Sequence, residues 1–210
     1  DFNSSESTYK QEEQLNSPSM PSKNGGMMVM QIGSNDNSVL YKNTKENRYS
    51  RKTELMGKVF LIKDKLEKQD WELSTETKNI GRYTCYKATY TREEEDIKIS
   101  IMNGETKEEK TTKEVTTTAW YTPQIPINNG PENYYGLPGL ILEVNDGRTT
   151  IVCTEIILNT NEKKAIEEPK KGKVVSQAKY EKISEKKTKE LMEQFKSRKG
   201  ASVGGFNIKM

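Results

Sequence analysis

Histidine is absent from the 210-residue chain. That removes Ser-His-Asp and Cys-His catalysis and every His-ligated metal site from consideration. Cysteine is scarce as well. Cys85 and Cys153 are the two present, enough to permit one disulfide without implying it. Apolar residues are few: Leu, Ile, Val and Phe together number 39. That is close to the composition at which burial no longer offsets chain entropy. No apolar run approaches the roughly 18 residues that cross a bilayer, so no transmembrane segment is expected.

The residues that are present are unevenly placed. Aliphatics and aromatics concentrate between Leu55 and Leu158, which leaves both ends mostly solvated. Net charge is +3. From residue 159 onward, 14 Lys/Arg stand against 7 Asp/Glu, a local excess of +7 and a remainder of −4. Glu alternates with Lys through that tail and no aromatic platform accompanies it, so it reads as a solvated helix face. No nucleic-acid partner is expected. The length suggests one domain with flanking segments. The expected division is a loosely ordered stretch over 1–26, an antiparallel β domain over 27–159, and a basic tail over 160–210. The chain opens at Asp1 with no apolar leader, which fits a mature secreted or periplasmic form.

Taken in order, 27–32, 39–42 and 57–63 read as short strands flanked by turn residues or charge. Met20, Met27, Met28 and Met30 have no Cys or His beside them, so packing is expected rather than a soft-metal site. Trp71 and Leu73 share one face of a further strand. The polar stretch 75–79 reads as a turn, and 82–91 as a strand dense in Tyr and Thr. The cluster Glu93-Glu94-Glu95-Asp96 lacks the glycine hinge and ligand spacing of a calcium loop and reads as a solvated turn. Ile97, Ile99 and Ile101 alternate with polar residues, a clear strand signal. A charged loop is expected over 103–112, then a strand through Val115, Thr117, Ala119 and Tyr121. Lys87 is expected to face water rather than serve as a Schiff-base lysine. No cofactor and no metal are expected.

Pro123, Pro126 and Pro131 lack a ladder donor, so the stretch after Trp120 is a loop. It ends in Gly136-Leu137-Pro138-Gly139, a sharp re-entry into the sheet. Two strands follow, joined by Asp146-Gly147, a strong hairpin signal. A type I′ turn there would set Val144 opposite Thr149, Leu142 opposite Ile151 and Leu140 opposite Cys153. Those six form one nearly apolar face, expected to be the core face. The other face carries Ile141, Val152 and Ile156 with Glu143, Thr150 and Thr154, and is too apolar to be freely wet. Ser176 is a plausible N-cap for an amphipathic helix over about 176–198.

The blocks Trp71-Glu72-Leu73, Tyr83-Thr84-Cys85-Tyr86-Lys87-Ala88-Thr89, Trp120-Tyr121-Thr122 and Gly136-Leu137-Pro138-Gly139-Leu140-Ile141 resemble the GLPGLI family, secreted or envelope proteins mostly of Bacteroidota. The resemblance covers about 55–186. It implies export and no known catalytic residue. It also implies a curved antiparallel sheet like that of the LolA- and RseB-type carriers. The fold expected is therefore mainly β (α+β): a long antiparallel meander, half-barrel-like, with a C-terminal helix. The function expected is non-enzymatic: binding of an apolar small molecule, lipid or peptide on the concave face. Trp71, Tyr83, Tyr86, Trp120, Tyr134 and Tyr135 would supply the aromatic surface. A structural module docking an envelope protein partner stays open, as does an enzyme using Lys or paired carboxylates, for which no convergent constellation is visible. Cys85 and Cys153 could pair in an oxidising compartment if their Cα atoms come within about 7 Å.

Overall fold

The computed structural model describes residues 1–11, 38–102, 105–159, 165–198 and 206–209. These residues are mostly β, with one helix near the C-terminus. The expected strand 27–32 and the four methionines lie outside the described residues. The strands divide over two sheets where the sequence reads as one continuous layer, and neither sheet closes into a barrel.

The first sheet contains β1 (Glu6–Lys10), β2 (Val39–Asn43), β3 (Arg48–Leu55) and β4 (Lys58–Lys65), antiparallel in that order. A short strand, β10 (Lys173–Val175), joins it parallel to β4. The β3–β4 corner is Met56-Gly57, both at positive φ (49° and 75°), the twist a two-residue hairpin needs. Alternation puts Leu40, Tyr49, Leu55, Phe60 and Ile62 on one face. They cluster with Val175, Tyr180 and Ile183, the last two from the helix α1 (Gln177–Arg198). Ser176 caps α1 as expected: its Oγ accepts the Lys179 amide at 3.3 Å. The Asp64 carboxylate accepts the Gln177 amide at 3.0 Å, which ties the start of the helix to the sheet.

The second sheet is built on two long strands, β6 (Tyr83–Met102) and β7 (Glu105–Thr122). β8 (Leu140–Asn145) and β9 (Thr150–Val152) extend it beyond β7; β5 (Glu72–Ile80) and β11 (Phe206–Lys209) pair with β6. Three expectations are corrected here. Residues 75–79 are strand, with a register shift between Leu73 and Thr77, and the turn falls at Gly81 (φ 56°). The acidic run 93–96 is strand, paired with Glu114, Lys113, Thr112 and Thr111. The charged stretch 105–112 is strand as well. One physical reason covers all three. β5 is a margin with most of its residues exposed, and the far half of β6–β7 runs past β8, so polar residues carry no turn information there. Glu94 is neutralised locally, by Arg92 at 2.6 Å and Arg148 at 3.2 Å.

The β8–β9 hairpin is present, but its register differs from the type I′ expectation. Val144 faces Ile151 and Asn145 faces Thr150. The Asp146 carboxylate accepts the Arg148 and Thr149 amides at 2.9 and 2.7 Å, and Gly147 takes φ 82°. A bulge between Trp120 and Tyr121 then divides the six-residue core face: Trp120 pairs with Glu143 but Tyr121 with Ile141. Leu140 and Leu142 pack with Cys85 and Ile125. Val144 packs with Ile141, Ala88, Ala119 and Tyr121 on the opposite side. Both faces of β8 are therefore core.

Candidate functional site

The loop 123–139 holds the two sheets together. Leu137 is 1% exposed and, with Tyr134, packs on the second sheet, while Tyr135 packs against the first. Trp71 pins this loop: its Nε1–H donates to Tyr135 O at 2.8 Å, and its ring lies 5.7 Å from Tyr90 and 6.4 Å from Tyr134. From the first sheet, Lys42 is wholly buried and its ammonium donates to Gly130 O at 2.8 Å and Tyr134 O at 3.1 Å. Burial pushes its pKa down to about 7, with the Glu132 carboxylate opposing. Sequence reasoning placed 39–42 in a short strand and gave Lys42 no role, since nothing local shows that a distant loop covers it. Ser7 on β1 lies across from Lys42, and its Oγ donates to Asn129 Oδ1 at 3.3 Å.

These contacts bring the margin of one sheet, β1, near the margin of the other, β9. Between them lies a cleft of about 320 Å³. Phe2, Leu140, Leu142, Ile151, Val152 and Ile156 give it an apolar lining; Ser7, Asn129 and Glu155 add polar groups. The lining combines an apolar floor with a few polar groups, the make-up of a small-ligand or peptide site.

The six aromatic residues expected to form one surface are dispersed. Trp71 and Tyr134 sit in the core of the second sheet, and Tyr83 and Trp120 pack around Cys85 on its other face. Tyr135 belongs to the core of the first sheet. Tyr86 is exposed, 6.1 Å from Tyr121. None of the six lines the cleft. Trp120 stacks under the Lys78 ammonium at 4.4 Å, which also pairs with Glu143 at 2.7 Å. Lys87 is ion-paired with Glu76 at 2.9 Å on the exposed face. Cys85 and Cys153 are both free thiols in one apolar cluster. Burial pushes both above the usual thiol range, which suppresses the thiolate that nucleophilic chemistry needs.

A second polar cluster lies on the outer face of the first sheet. The Glu168 carboxylate accepts from Ser50 Oγ at 2.6 Å and Lys63 Nζ at 2.9 Å, and meets Arg48 at 3.0 Å. Burial alone would raise its pKa; the three donors outweigh that and hold it at about 2. The folded-state value lies below the ordinary 4.5, so this stabilisation is complete above pH 4.5 and is lost as pH falls toward 2. Glu168→Gln is expected to lower the thermal midpoint near neutrality and to match the parent near pH 2. Melting curves across that range check it; a constant gap at all pH values would remove Glu168 from the account.

Residues 71–143 match the model of a family described as a protein of unknown function (Porph_ging). The chain is similar to that family through this span. The span includes Trp71, the connecting loop and most of β8. No curated protein matches the chain. A solved structure titled "Structure of PNGF-II in C2 space group" is similar at 19% identity and a TM-score of 0.45, covering 70% of this chain. The chain accounts for 24% of that structure's length. Among the described residues, no helix is long and apolar enough to cross a membrane.

Proposed function

We propose that the chain is a non-catalytic binding module of the GLPGLI type, exported to the cell envelope, that holds an apolar or peptidic ligand in the cleft between β1 and β9. The observation that carries this reading is the cleft itself, whose floor is aliphatic and whose rim is exposed at Val152 (47%). Two further points support a binding role over a catalytic one. Lys42 and Glu168, strongly shifted titratable groups, are engaged in contacts that hold the fold and do not line the cleft. The thiol that does line it, Cys153, is held in its neutral form by burial.

The neutral dye N-phenyl-1-naphthylamine tests the reading. Its fluorescence is expected to rise on binding the folded protein. Val152→Glu is expected to weaken that binding by about tenfold while leaving the melting temperature in place, because Val152 is half-exposed. Dye binding that ignores Val152→Glu would place the apolar site elsewhere.

A further inference from the structure

The margin of the second sheet that borders the cleft differs from the β5 margin of the same sheet and from the β1 margin of the first. Residues 149–158 read Thr-Thr-Ile-Val-Cys-Thr-Glu-Ile-Ile-Leu, with a single charge, Glu155, in a chain that is 31% charged. Sheet margins are ordinarily guarded by Lys, Pro, bulges or a covering segment. The free side of β5 carries Glu72, Glu76 and Lys78 and a register shift. The free side of β1 is covered by the chain's own first residues: the Asn3 amide donates to Glu6 O and the Thr8 amide to Asp1 O, each at 2.8 Å. Among the described residues, no such guard covers 149–158. Val152, Ile157 and Leu158 are 47%, 66% and 43% exposed, three large apolar side chains within seven positions.

The backbone there is directional. The Asp146 amide donates to Thr149 O, and the Cys153 amide donates to Leu142 O. Pair geometry alternates along an antiparallel ladder, so Thr149, Ile151 and Cys153 turn their backbone groups toward β8. Thr150 and Val152 turn theirs outward, and Thr154 is the next position at which an added strand would pair. Among the described residues, no backbone–backbone hydrogen bond reaches 154–158; the Glu155 carbonyl accepts from the Cys153 thiol at 3.4 Å.

We propose that this margin receives an extended peptide as an added strand, with apolar side chains at alternating positions entering the cleft and a basic side chain meeting Glu155. The inference rests on the cleft reading and specifies its ligand. Outward N–H and C=O groups select a backbone rather than a lipid, since only another chain returns donors and acceptors at the strand repeat. A basic-apolar partner is favoured over a second copy of this chain. Two-fold pairing of the margin with itself about Val152 sets Glu155 opposite Thr149, so a second copy leaves the margin's one charge without a basic partner.

Thr154→Pro is the discriminating variant. It removes the amide that strand addition would use next after Val152 and leaves the β8 ladder intact, and Thr154 is exposed and lies outside the cleft lining. The probe is the blocked heptapeptide Lys-Val-Thr-Val-Thr-Val-Lys, followed by calorimetry. Binding is expected in the parent and in Thr154→Ala, with affinity about tenfold lower in Thr154→Pro and dye binding unchanged. Equal peptide affinity for Thr154→Pro would overturn strand addition while leaving the cleft reading in place, which fails only through the Val152→Glu dye test. Equal affinity for a peptide methylated on all its Val amides would overturn it as well. Sedimentation showing a parent dimer that Thr154→Pro dissociates would assign the margin to a second copy instead.

Discussion

Gly139→Ala is expected to lower the unfolding free energy by about 3 kcal/mol, the upper range for overpacking a close-packed site. A Cβ at this position would lie 2.2 Å from Thr122 O and 2.6 Å from Thr122 C. Both are backbone atoms of β7, so no rotamer change relieves the contact. The neighbouring links leave little room to slide: the Gly139 amide donates to Leu137 O at 2.8 Å and the Leu140 amide to Ile125 O at 2.9 Å. The methyl group would push β8 off β7 at the point where Leu140, Ile141 and Leu142 enter both faces of the core. Gly81→Ala is the internal comparison. Gly81 has φ 56° with nothing within 4 Å of an added Cβ, so it should show only the left-handed penalty of about 1–2 kcal/mol. Urea midpoints measure both. Equal midpoints for the two variants would remove close approach as the reason for glycine at 139.

Between pH 7 and 10.5 the parent is expected to become more stable as pH rises, and Lys42→Met is expected to abolish that slope. The sign follows from the depressed lysine. In this window the unfolded chain keeps a proton on residue 42 that the folded chain has released, so raising pH favours the folded state. The slope is at most about 1.4 kcal/mol per pH unit. The neutral amine carries two N–H groups, matching the two carbonyls of Gly130 and Tyr134 that it serves. Methionine fills similar space but leaves both carbonyls without a donor, at about 1–3 kcal/mol each. The stability gap between parent and variant should therefore widen as pH rises above about 7. Urea unfolding of both proteins across this range is the check. A slope that survives in Lys42→Met would assign the titration to another group.

The two variants act on one structure from opposite sides. Gly139 lets the connecting loop approach the second sheet, and Lys42 ties the same loop to the first. The cleft depends on that joint, since Asn129 and Gly130 contribute to its lining. Dye and peptide binding should therefore weaken in Gly139→Ala in step with the loss of folded protein.

Much of the architecture was legible locally. The β content, the Asp146-Gly147 corner, the Ser176 cap and the helix that follows all rest on short-range preferences, and all are present. What failed were readings that treat polarity as a sign of turns. Residues 75–79, 93–96 and 105–112 are strands, so their polar composition did not mark a change in backbone path. The aromatic surface failed to gather for a different reason. Alternation assigns a side chain to one of two faces, but it does not say which sheet or which neighbour lies beyond that face.

The sequence by itself determined that the chain is largely β, that a capped helix follows the hairpin of β8 and β9, and that it has no histidine chemistry. Tertiary structure decided that there are two sheets, that one bulge sends Leu142 and Val144 to opposite cores, and that Lys42 lies buried beneath a loop some ninety residues downstream. Local preferences act within a few residues and are written in composition. Burial and register depend on pairing between distant segments, and the free energy that settles them exists only once those segments meet.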